Sequence, residues 1–183
     1  MFAIAILSAT VLQGFPVTCH PNNGESVMST QNLKSEIDEY VNGVPFLALA
    51  YVRSDGTPVQ RTLGSFVRHE STVFFCTRID AAKVRDIESN PRVSLLFEAE
   101  NQQLAAWKNV LLIGKALPVT TDSELKQATE LLGARRPRFK ERIEKEGLKN
   151  TRLFRFEAEE IEFLDYAKGA GHREKISVSQ DHT

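Results

Sequence analysis

The chain has 183 residues, of which 42% are hydrophobic and 26% are charged. This is enough for one domain with a genuine core and too little for two comfortable ones. The formal net charge of −1 excludes a global positive field that would attract nucleic acid or an anionic membrane. Any anion site must therefore be local, and we expect neither nucleic acid nor a membrane as a partner.

The N-terminal part of the chain differs in composition from the rest. Residues 2–12 are apolar, and residues 15–27 are rich in Pro, Asn, Gly and Ser. No Lys or Arg precedes the apolar run, no clear cleavage site follows it, and it is too short to span a bilayer. We interpret residues 1–27 as a flexible extension of a cytoplasmic protein that starts at an upstream codon, with a secretion signal as the alternative. The folded domain is predicted over residues 28–178, and a disordered tail over 179–183.

The first half of the domain reads as a helix, three strands and a second helix. Ser29 or Thr30 can cap a helix that runs to about Val41. Short polar turns of the hairpin type then separate three predicted strands, 46–53, 59–67 and 72–77. Asp80 can cap a short helix over residues 81–89, which Asn90-Pro91 stops.

The second half alternates strands and helices in the same way. Two strands are predicted at 93–98 and 105–119, the second long enough to be bent. Thr121 or Asp122 caps a helix, and Pro137 separates it from a charged helix that ends near Glu146. The predicted polar turn 157–160 separates the last two strands, 151–156 and 161–166.

These elements predict an α+β protein. Most strands are joined by short turns, so the sheet should be mainly antiparallel. Six or seven such strands with a few flanking helices indicate a small β-barrel.

Arg61 is the first candidate for binding an anion. In a strand it shares a face with Val59 and Leu63, and a charge among apolar neighbours needs a partner. A phosphate would serve, because the guanidinium group matches two of its oxygens. The alternative is an exposed arginine on the solvent side of the strand.

Three further residues lie at the ends of neighbouring elements. Thr77 and Arg78 end a strand, and Lys83 follows in the first turns of the next helix. The N-terminal end of a helix attracts anions through its free N–H groups and its dipole. Together with Arg61, these residues predict a site for the phosphate group of a cofactor, although a solvated helix face is the alternative for Lys83.

Two other regions contain polar residues of interest. Lys108 and Asn109 precede an apolar run, where Asn109 can either donate to a heteroaromatic ring or be an ordinary strand residue. His172 follows a Gly-Ala-Gly stretch and belongs either to a tail that closes over a ligand or to a solvated terminal segment. It is the one candidate for acid–base catalysis, because imidazole titrates near neutrality. The histidines show no metal-ligand spacing, and the basic run 135–138 is interpreted as a solvated face.

Several of these segments, in this order and spacing, resemble the FMN-binding split-barrel flavoproteins of the pyridoxamine 5′-phosphate oxidase-like superfamily. The resemblance covers most of residues 30–178. The segments that carry it are Asp55-Gly56-Thr57-Pro58 before the Arg61 strand, Phe74-Phe75-Cys76-Thr77 followed by Lys83, Asn90-Pro91-Arg92-Val93-Ser94-Leu95-Leu96-Phe97, Gly114 after an apolar strand, and Ile161-Glu162-Phe163-Leu164.

The resemblance implies an FMN-dependent oxidoreductase that acts on an unidentified small molecule. It implies a homodimer with FMN at the subunit interface. The phosphate-binding residues of the family fall on Arg61, Thr77 and Lys83, and the main chain around Thr62 and Leu63 is expected to run along the flavin ring. The family's polar pair from the partner chain falls on Asn109 and Lys108.

The chain also departs from the oxidase itself. Ala81-Ala82 precede Lys83 where the oxidase has Ser-Arg, so that one arginine is missing and Arg78 is the residue that can replace it. Leu164 stands where the oxidase has Trp, and His172-Arg173 echo its substrate segment only in part. The chain is therefore not expected to be the vitamin B6 oxidase.

Two other ligands are alternatives to FMN within the same family. One is haem in a non-enzymatic flavin- or haem-binding split barrel, for which His69 or His172 would be the axial ligand. The other is a deazaflavin, whose longer anionic tail needs extra basic residues that form no clear set in the sequence.

Overall fold

The computed structural model describes residues 26–178. The predictions for residues 1–25 and for the tail 179–183 lie outside the described residues. The helices are α1 (Ser26–Gly43), α2 (Ala82–Ser89), α3 (Asp122–Arg135) and α4 (Pro137–Glu146). The strands are β1 (Leu47–Val52), β2 (Pro58–Leu63), β3 (Phe66–His69), β4 (Thr72–Arg78), β5 (Arg92–Glu98), β6 (Lys108–Pro118), β7 (Thr151–Asp165) and β8 (Arg173–Ser177).

All eight strands belong to one antiparallel sheet. Seven of them follow the order β2-β1-β5-β6-β7-β4-β3, and β8 pairs with the far part of β7. The predicted α+β class and antiparallel split barrel are confirmed, and β8 is one strand more than expected. Since β2 stands at one end of this order, one edge of its main chain has no partner strand in the described structure.

Two hydrophobic cores lie on opposite faces of the curled sheet. The main core is formed by the inward side chains of the sheet together with α1 and α2, and the smaller core lies between β3, β4, β7, α3 and α4. Side chains of β4 alternate between them: Val73 and Phe75 belong to the main core, and Phe74 and Cys76 to the smaller one. By the same alternation, Thr77 faces the main-core side.

The predicted single strand over 59–67 is wrong, because the chain turns a corner in the middle of it. Gly64 and Ser65 separate β2 from β3, and the Ser65 carbonyl accepts a hydrogen bond from the Cys76 N–H at 3.0 Å. A Cβ atom on Gly64 would lie 3.1 Å from the ring of Phe46, so the corner has little room for a side chain. Leu63 and Phe66, three residues apart, both belong to the main core, which an uninterrupted strand with alternating faces would not allow.

The predicted turn at 157–160 is also wrong, because β7 runs through it without a break. Glu159 reaches Arg92 and Lys115, and Glu160 reaches Lys175, so these carboxylates are neutralised by neighbouring strands. Close to this point β6 has a register shift at Gly114, where a Cβ atom would lie 2.0 Å from the Glu157 carbonyl oxygen. A run of acidic residues therefore marks a charged strand here and not a loop.

Four smaller differences concern the starts of two helices and two elements that the sequence did not predict. Helix α1 begins at Ser26, so Ser29 and Thr30 lie inside it. The N-cap of α2 is Ala81 without a side-chain cap, since Asp80 binds Arg78 instead. The other two differences are a 3₁₀ turn, Leu104–Ala106, before β6, and the unpredicted strand β8. The Thr121 cap of α3 is confirmed, because its side chain accepts from the Glu124 N–H.

Candidate functional site

Arg61, Thr77 and Lys83 lie on the main-core side of the sheet. Arg61 pairs directly with Leu49 of β1, a fully buried residue of the main core. Helix α2 packs against β1 and contributes Val84 and Ile87 to the same core. Lys83 is in the first turn of this helix, so the tertiary structure brings residues from β2, β4 and α2 to the same side.

Among the described residues, Lys83 and Arg61 are two cations that lack a carboxylate partner. Burial lowers the pKa of Lys83, and the positive charge of Arg61 lowers it further. Both side chains belong to elements on the main-core side of the sheet, where each positive charge disfavours the other. Across residues 26–178, neither group forms a salt bridge, and the one side-chain hydrogen bond of Arg61 goes to the Gln60 carbonyl at 2.8 Å. A bound anion would relieve the repulsion.

The beginning of α2 adds to the same positive potential. Its N-cap, Ala81, provides no side-chain oxygen, and its first turn contains no acidic residue. The free N–H groups and the positive end of the helix dipole are therefore not neutralised by the helix itself. The residues present fit a phosphate-bearing cofactor at this end of the barrel.

Arg78 does not join this pair. Its guanidinium group donates two hydrogen bonds to Asp80, at 2.9 and 2.6 Å, and both side chains are exposed. These bonds raise the pKa of Arg78 and lower the pKa of Asp80. Arg78 would have to leave Asp80 in order to replace the arginine that is missing beside Lys83.

Thr62 and Leu63 lie on opposite faces of β2. Leu63 is buried in the main core, whereas Thr62 pairs with Ala48 and is exposed on the outer face. Both residues contribute main-chain groups to the free edge of β2. That edge offers N–H and C=O groups to a planar ligand.

Lys108 and Asn109 also point to opposite faces, and both already have partners. The Lys108 Nζ lies 3.0 Å from the carboxylates of both Glu36 and Asp165. Burial by itself lowers the pKa of Lys108, but these hydrogen bonds outweigh it and leave the pKa raised. On the outer face, the Asn109 amide donates to Glu98 at 3.3 Å.

The distance of Asn109 from β2 follows from the register. Leu63 pairs with Leu47, Leu47 with Phe97, and Phe97 with Val110, the neighbour of Asn109. Three strand spacings amount to about 14 Å. Within one chain, Asn109 is therefore remote from the free edge of β2.

His172 belongs to an ordered charged cluster at the other end of the molecule. Its Nε2 lies 3.1 Å from Glu174, which also binds Lys168 at 3.0 Å, and its carbonyl accepts from the Asp165 N–H. This is not a solvated terminal segment, because β8 follows at once. The acidic members of the cluster, Glu36, Asp165 and Glu174, were missed in the sequence, where nothing distinguishes them from other surface carboxylates.

The two histidines considered as axial ligands are far apart. Thr72, the partner of His69, pairs with Glu157 of β7, whereas His172 bonds Asp165 at the end of the same strand. The two positions on β7 differ by eight residues, which is about 26 Å along the strand. A single chain cannot use both as ligands to one iron.

The family comparison supports this picture of the fold. A family model described as pyridoxamine 5′-phosphate oxidase matches residues 33–165. The chain belongs to this family. No curated protein sequence matches it significantly. In the described part of the chain, no helix is both long and apolar enough to cross a membrane.

Solved structures give the same fold. HutZ, the heme storage protein from Vibrio cholerae, is 30% identical, with a TM-score of 0.59 over 69% of this chain and 90% of that chain. The General Stress Protein 26 from Bacillus anthracis is 21% identical, with a TM-score of 0.60 over 80% of this chain and 99% of that chain. A heme binding protein from Mycobacterium smegmatis is 18% identical, with a TM-score of 0.63 over 78% of this chain and 57% of that chain.

Proposed function

We propose that the protein binds FMN and acts as an FMN-dependent oxidoreductase on a small molecule. The observation that carries the proposal is the pair of cations formed by Arg61 and Lys83. They lie beside the uncapped start of α2, and the described structure provides no carboxylate for either of them. Arg61 is exposed and Lys83 is half-buried, so an anion can reach both side chains from solvent.

Each residue has a distinct task in this proposal. Arg61 and Lys83 hold the phosphate, and the Thr77 hydroxyl donates a hydrogen bond to it. The main chain of Thr62 and Leu63 lies along the flavin ring. When bound, FMN supplies the hydride or electron chemistry, and the protein supplies position and electrostatics.

The proposal includes a homodimer. The outer face of β1, β5 and β6 carries half-buried apolar residues that a second copy would cover, namely Ala48, Ala50, Val52, Leu96, Leu111 and Ile113. Asn109 lies on this same face, and its own β2 is about 14 Å away. In the dimer, each copy provides Asn109 to the cofactor of the other. Lys108 keeps its internal partners.

The experiment that tests the proposal is a titration of the purified protein with FMN, followed by flavin absorbance and fluorescence. Arg61→Ala should weaken binding by about 2–3 kcal/mol, because a charged hydrogen-bonded contact is lost. Arg85→Ala is the matched control, since Arg85 is an exposed arginine of α2. Wild-type protein that does not bind FMN, or a folded Arg61→Ala variant with unchanged affinity, would contradict the proposal.

Haem binding is the second candidate, favoured by the 30% identity to a heme storage protein and by the ordered position of His172. The Glu174 carboxylate that holds the imidazole is the type of partner that fixes metal-ligating histidines. Titration with haemin should then produce a Soret band that is lost in His172→Ala or in His69→Ala. Binding of haemin with no effect of either variant would exclude both histidines as axial ligands.

A further inference from the structure

We propose that Glu98 is a positioning residue for the cofactor site of the partner subunit. Its carboxylate fixes the amide of Asn109 in an orientation that can pair with the –CO–NH– edge of a flavin ring, and it holds Trp107 beside that amide. This role rests on the proposed function, because it needs a homodimer in which Asn109 of each copy meets the cofactor of the other.

The three side chains lie together on the outer face of the β5–β6 hairpin. Glu98 is the last residue of β5 and pairs directly with Asn109 of β6. One oxygen of the Glu98 carboxylate, Oε2, accepts hydrogen bonds from the Asn109 Nδ2 and from the Trp107 Nε1, each at 3.3 Å. The strand neighbours Phe97 and Val110 are fully buried in the main core. The alternation of faces therefore directs Glu98 and Asn109 outwards.

The chemistry of this contact sets the direction of the Asn109 amide. A carboxylate only accepts hydrogen bonds, so the NH₂ half of the amide faces Glu98 and the carbonyl oxygen points away from it. The carbonyl oxygen and the second N–H of the amide then remain for a ligand. One acceptor beside one donor complements a –CO–NH– group, and the pyrimidine edge of a flavin ring carries that group. Asn109 is therefore set to accept as well as to donate, where the sequence suggested only a donor.

Glu98 differs from charged residues that the fold uses for its own support. Arg135, part of a basic run interpreted from the sequence as a solvated face, stacks on Phe66 with its guanidinium carbon 4.5 Å from the ring centre. It also donates to the Asn42 and Val44 carbonyls, so that interpretation is wrong for Arg135. By contrast, no lysine or arginine of residues 26–178 forms a salt bridge with Glu98, whose two hydrogen bonds come from neutral side chains. The negative charge of Glu98 is held in place without being compensated.

Open space beside Glu98 leaves its carboxylate within reach of a ligand. Glu98 lines a depression of about 230 Å³ on the outer face, together with Ala48, Gln60, Thr62 and Leu96 among others. A fixed negative charge beside a flavin opposes the addition of electrons to the ring. Glu98 should therefore lower the reduction potential of the bound cofactor as well as orient the amide.

The loop between β5 and β6 is held in place although its tip is exposed. The Tyr40 hydroxyl donates to the Lys108 carbonyl at 2.5 Å and accepts from the Ala99 N–H at 3.0 Å. The Gln102 side chain binds the Lys108 main chain twice, at 2.9 and 2.8 Å. Leu104, at the tip, is nevertheless 74% exposed. A fixed loop that presents a leucine to solvent suits burial against a second copy, and it adjoins the face proposed for the dimer.

The first test is isothermal titration of the full-length protein with FMN. Glu98→Ala should weaken binding about fivefold, as expected when the hydrogen bonds that orient Asn109 are lost. Glu98→Gln should keep the affinity within about twofold, because its amide oxygen still accepts from Asn109. Glu100→Gln is the matched control, since Glu100 is an exposed carboxylate of the same hairpin, and it should leave the affinity unchanged.

The reduction potential of bound FMN separates positioning at the cofactor from mere support of the fold. Glu98→Gln removes the charge and keeps the shape of the side chain, so the potential should become more positive. Glu100→Gln, the same charge change two residues further on, should leave the potential unchanged. Circular dichroism confirms that each variant is folded.

Mixed dimers show whether Glu98 acts on the site of the partner subunit. One chain carries Arg61→Ala, and the other carries both Glu98→Ala and Asn109→Ala. If Glu98 and Asn109 act across the interface, each mixed dimer should recover one site of wild-type affinity. The reason is that one of its two sites then combines intact residues from both chains.

The outcomes distinguish this role from the proposed function. When the wild type binds FMN, the role of Glu98 is overturned by unchanged affinity in Glu98→Ala, by an unchanged potential in Glu98→Gln, or by mixed dimers without a restored site. Wild-type protein that binds no FMN contradicts the proposed function and this role together.

Discussion

Lys83 and Lys108 are two partly buried lysines with opposite surroundings. Lys83 faces Arg61 and has no carboxylate partner in the described structure, and its pKa is lowered by burial and by that charge. Lys108 lies between Glu36 and Asp165, and its pKa is raised although burial opposes this. The comparison shows that the charge of Lys108 is neutralised within the protein, whereas the charge of Lys83 remains available to an anionic ligand in the described structure.

The region around Lys108 connects distant parts of the chain. Glu36 comes from α1, Lys108 begins β6, and Asp165 ends β7. Lys168 extends the cluster to Glu174 of β8 and also reaches Glu36, at 3.1 Å. These contacts fix the segment that carries His172, so that this end of the molecule is held by paired charges.

The largest expected effect is the loss of stability in Lys108→Met. The Asp165 side chain is 2% exposed, and removing its main partner leaves a buried carboxylate that costs about 3 kcal/mol of unfolding free energy. Urea denaturation measures this. Lys115→Met is the matched control, because Lys115 is an exposed lysine of the same strand that binds Glu159, and it should cost less than about 1 kcal/mol. Equal losses of unfolding free energy in Lys108→Met and Lys115→Met would contradict the special role assigned to Lys108.

The difference in unfolding free energy between wild type and Lys108→Met should also change when the pH is lowered below neutrality. Burial raises the pKa of both Asp165 and Glu36, but the hydrogen bonds and charges of Lys108 and Lys168, with the Ala167 N–H at Asp165, together outweigh it and leave both pKa values lowered. A carboxylate with a lowered folded-state pKa stabilises the protein above its ordinary pKa and loses this contribution as the pH falls through the folded value. The wild-type contribution should therefore be complete above the ordinary pKa values of 4.5 for Glu36 and 3.8 for Asp165 and be lost at lower pH, so that the gap in stability between wild type and Lys108→Met narrows in acid.

Urea denaturation at a series of pH values checks this narrowing. The gap should be widest near neutrality and narrow as the pH falls, because the buried Asp165 takes up a proton more readily without Lys108 than with it. A gap that persists unchanged in strong acid would show that Lys108 acts through packing on Phe163 and not through its charge.

The smallest change in unfolding free energy, and one of opposite sign, is expected for Lys83→Met. Because burial and Arg61 both disfavour the Lys83 charge, its removal should stabilise the ligand-free protein by a few tenths of a kcal/mol. Since a lysine with a lowered folded pKa costs stability only while it is protonated, the gain should fade as the pH rises towards the ordinary pKa of 10.5. The affinity for FMN should fall about tenfold.

Thermal denaturation of Lys83→Met beside Arg85→Met, with and without FMN, separates these effects. Arg85 is exposed on the same helix, so its variant should change neither stability nor affinity. A Lys83→Met protein that is strongly destabilised would show that this lysine has a structural partner, and the contrast with Lys108 would disappear.

Local patterns in the sequence were sufficient for most of the elements and for part of the site. Short polar turns indicated the hairpin of β1 and β2, and Pro137 marked the boundary between α3 and α4. Arg61, Thr77 and Lys83 stood out because each is a polar residue at an element end or among apolar neighbours. The family resemblance over residues 30–178 is confirmed by the match to residues 33–165.

The rest depended on contacts that no local pattern contains. The turn predicted at 157–160 failed because its carboxylates are neutralised from other strands. The corner at Gly64 and Ser65 depends on packing against Phe46 and on the Cys76 N–H, which donates to the Ser65 carbonyl. The role of Arg78 could not be predicted either. Its pairing with Asp80 competes with the cofactor contact suggested by its position.

The sequence by itself determined the antiparallel strands, the helices between them and the three residues whose charges or hydroxyl could meet a phosphate. Those features follow from hairpin turns, periodicity and capping, which act between near neighbours. Only the tertiary structure decided which cations are neutralised and which remain unpaired. The reason is that a charge is compensated by whatever the fold brings beside it, as when Glu36 reaches Lys108 from 72 residues away while nothing acidic in the described chain reaches Lys83.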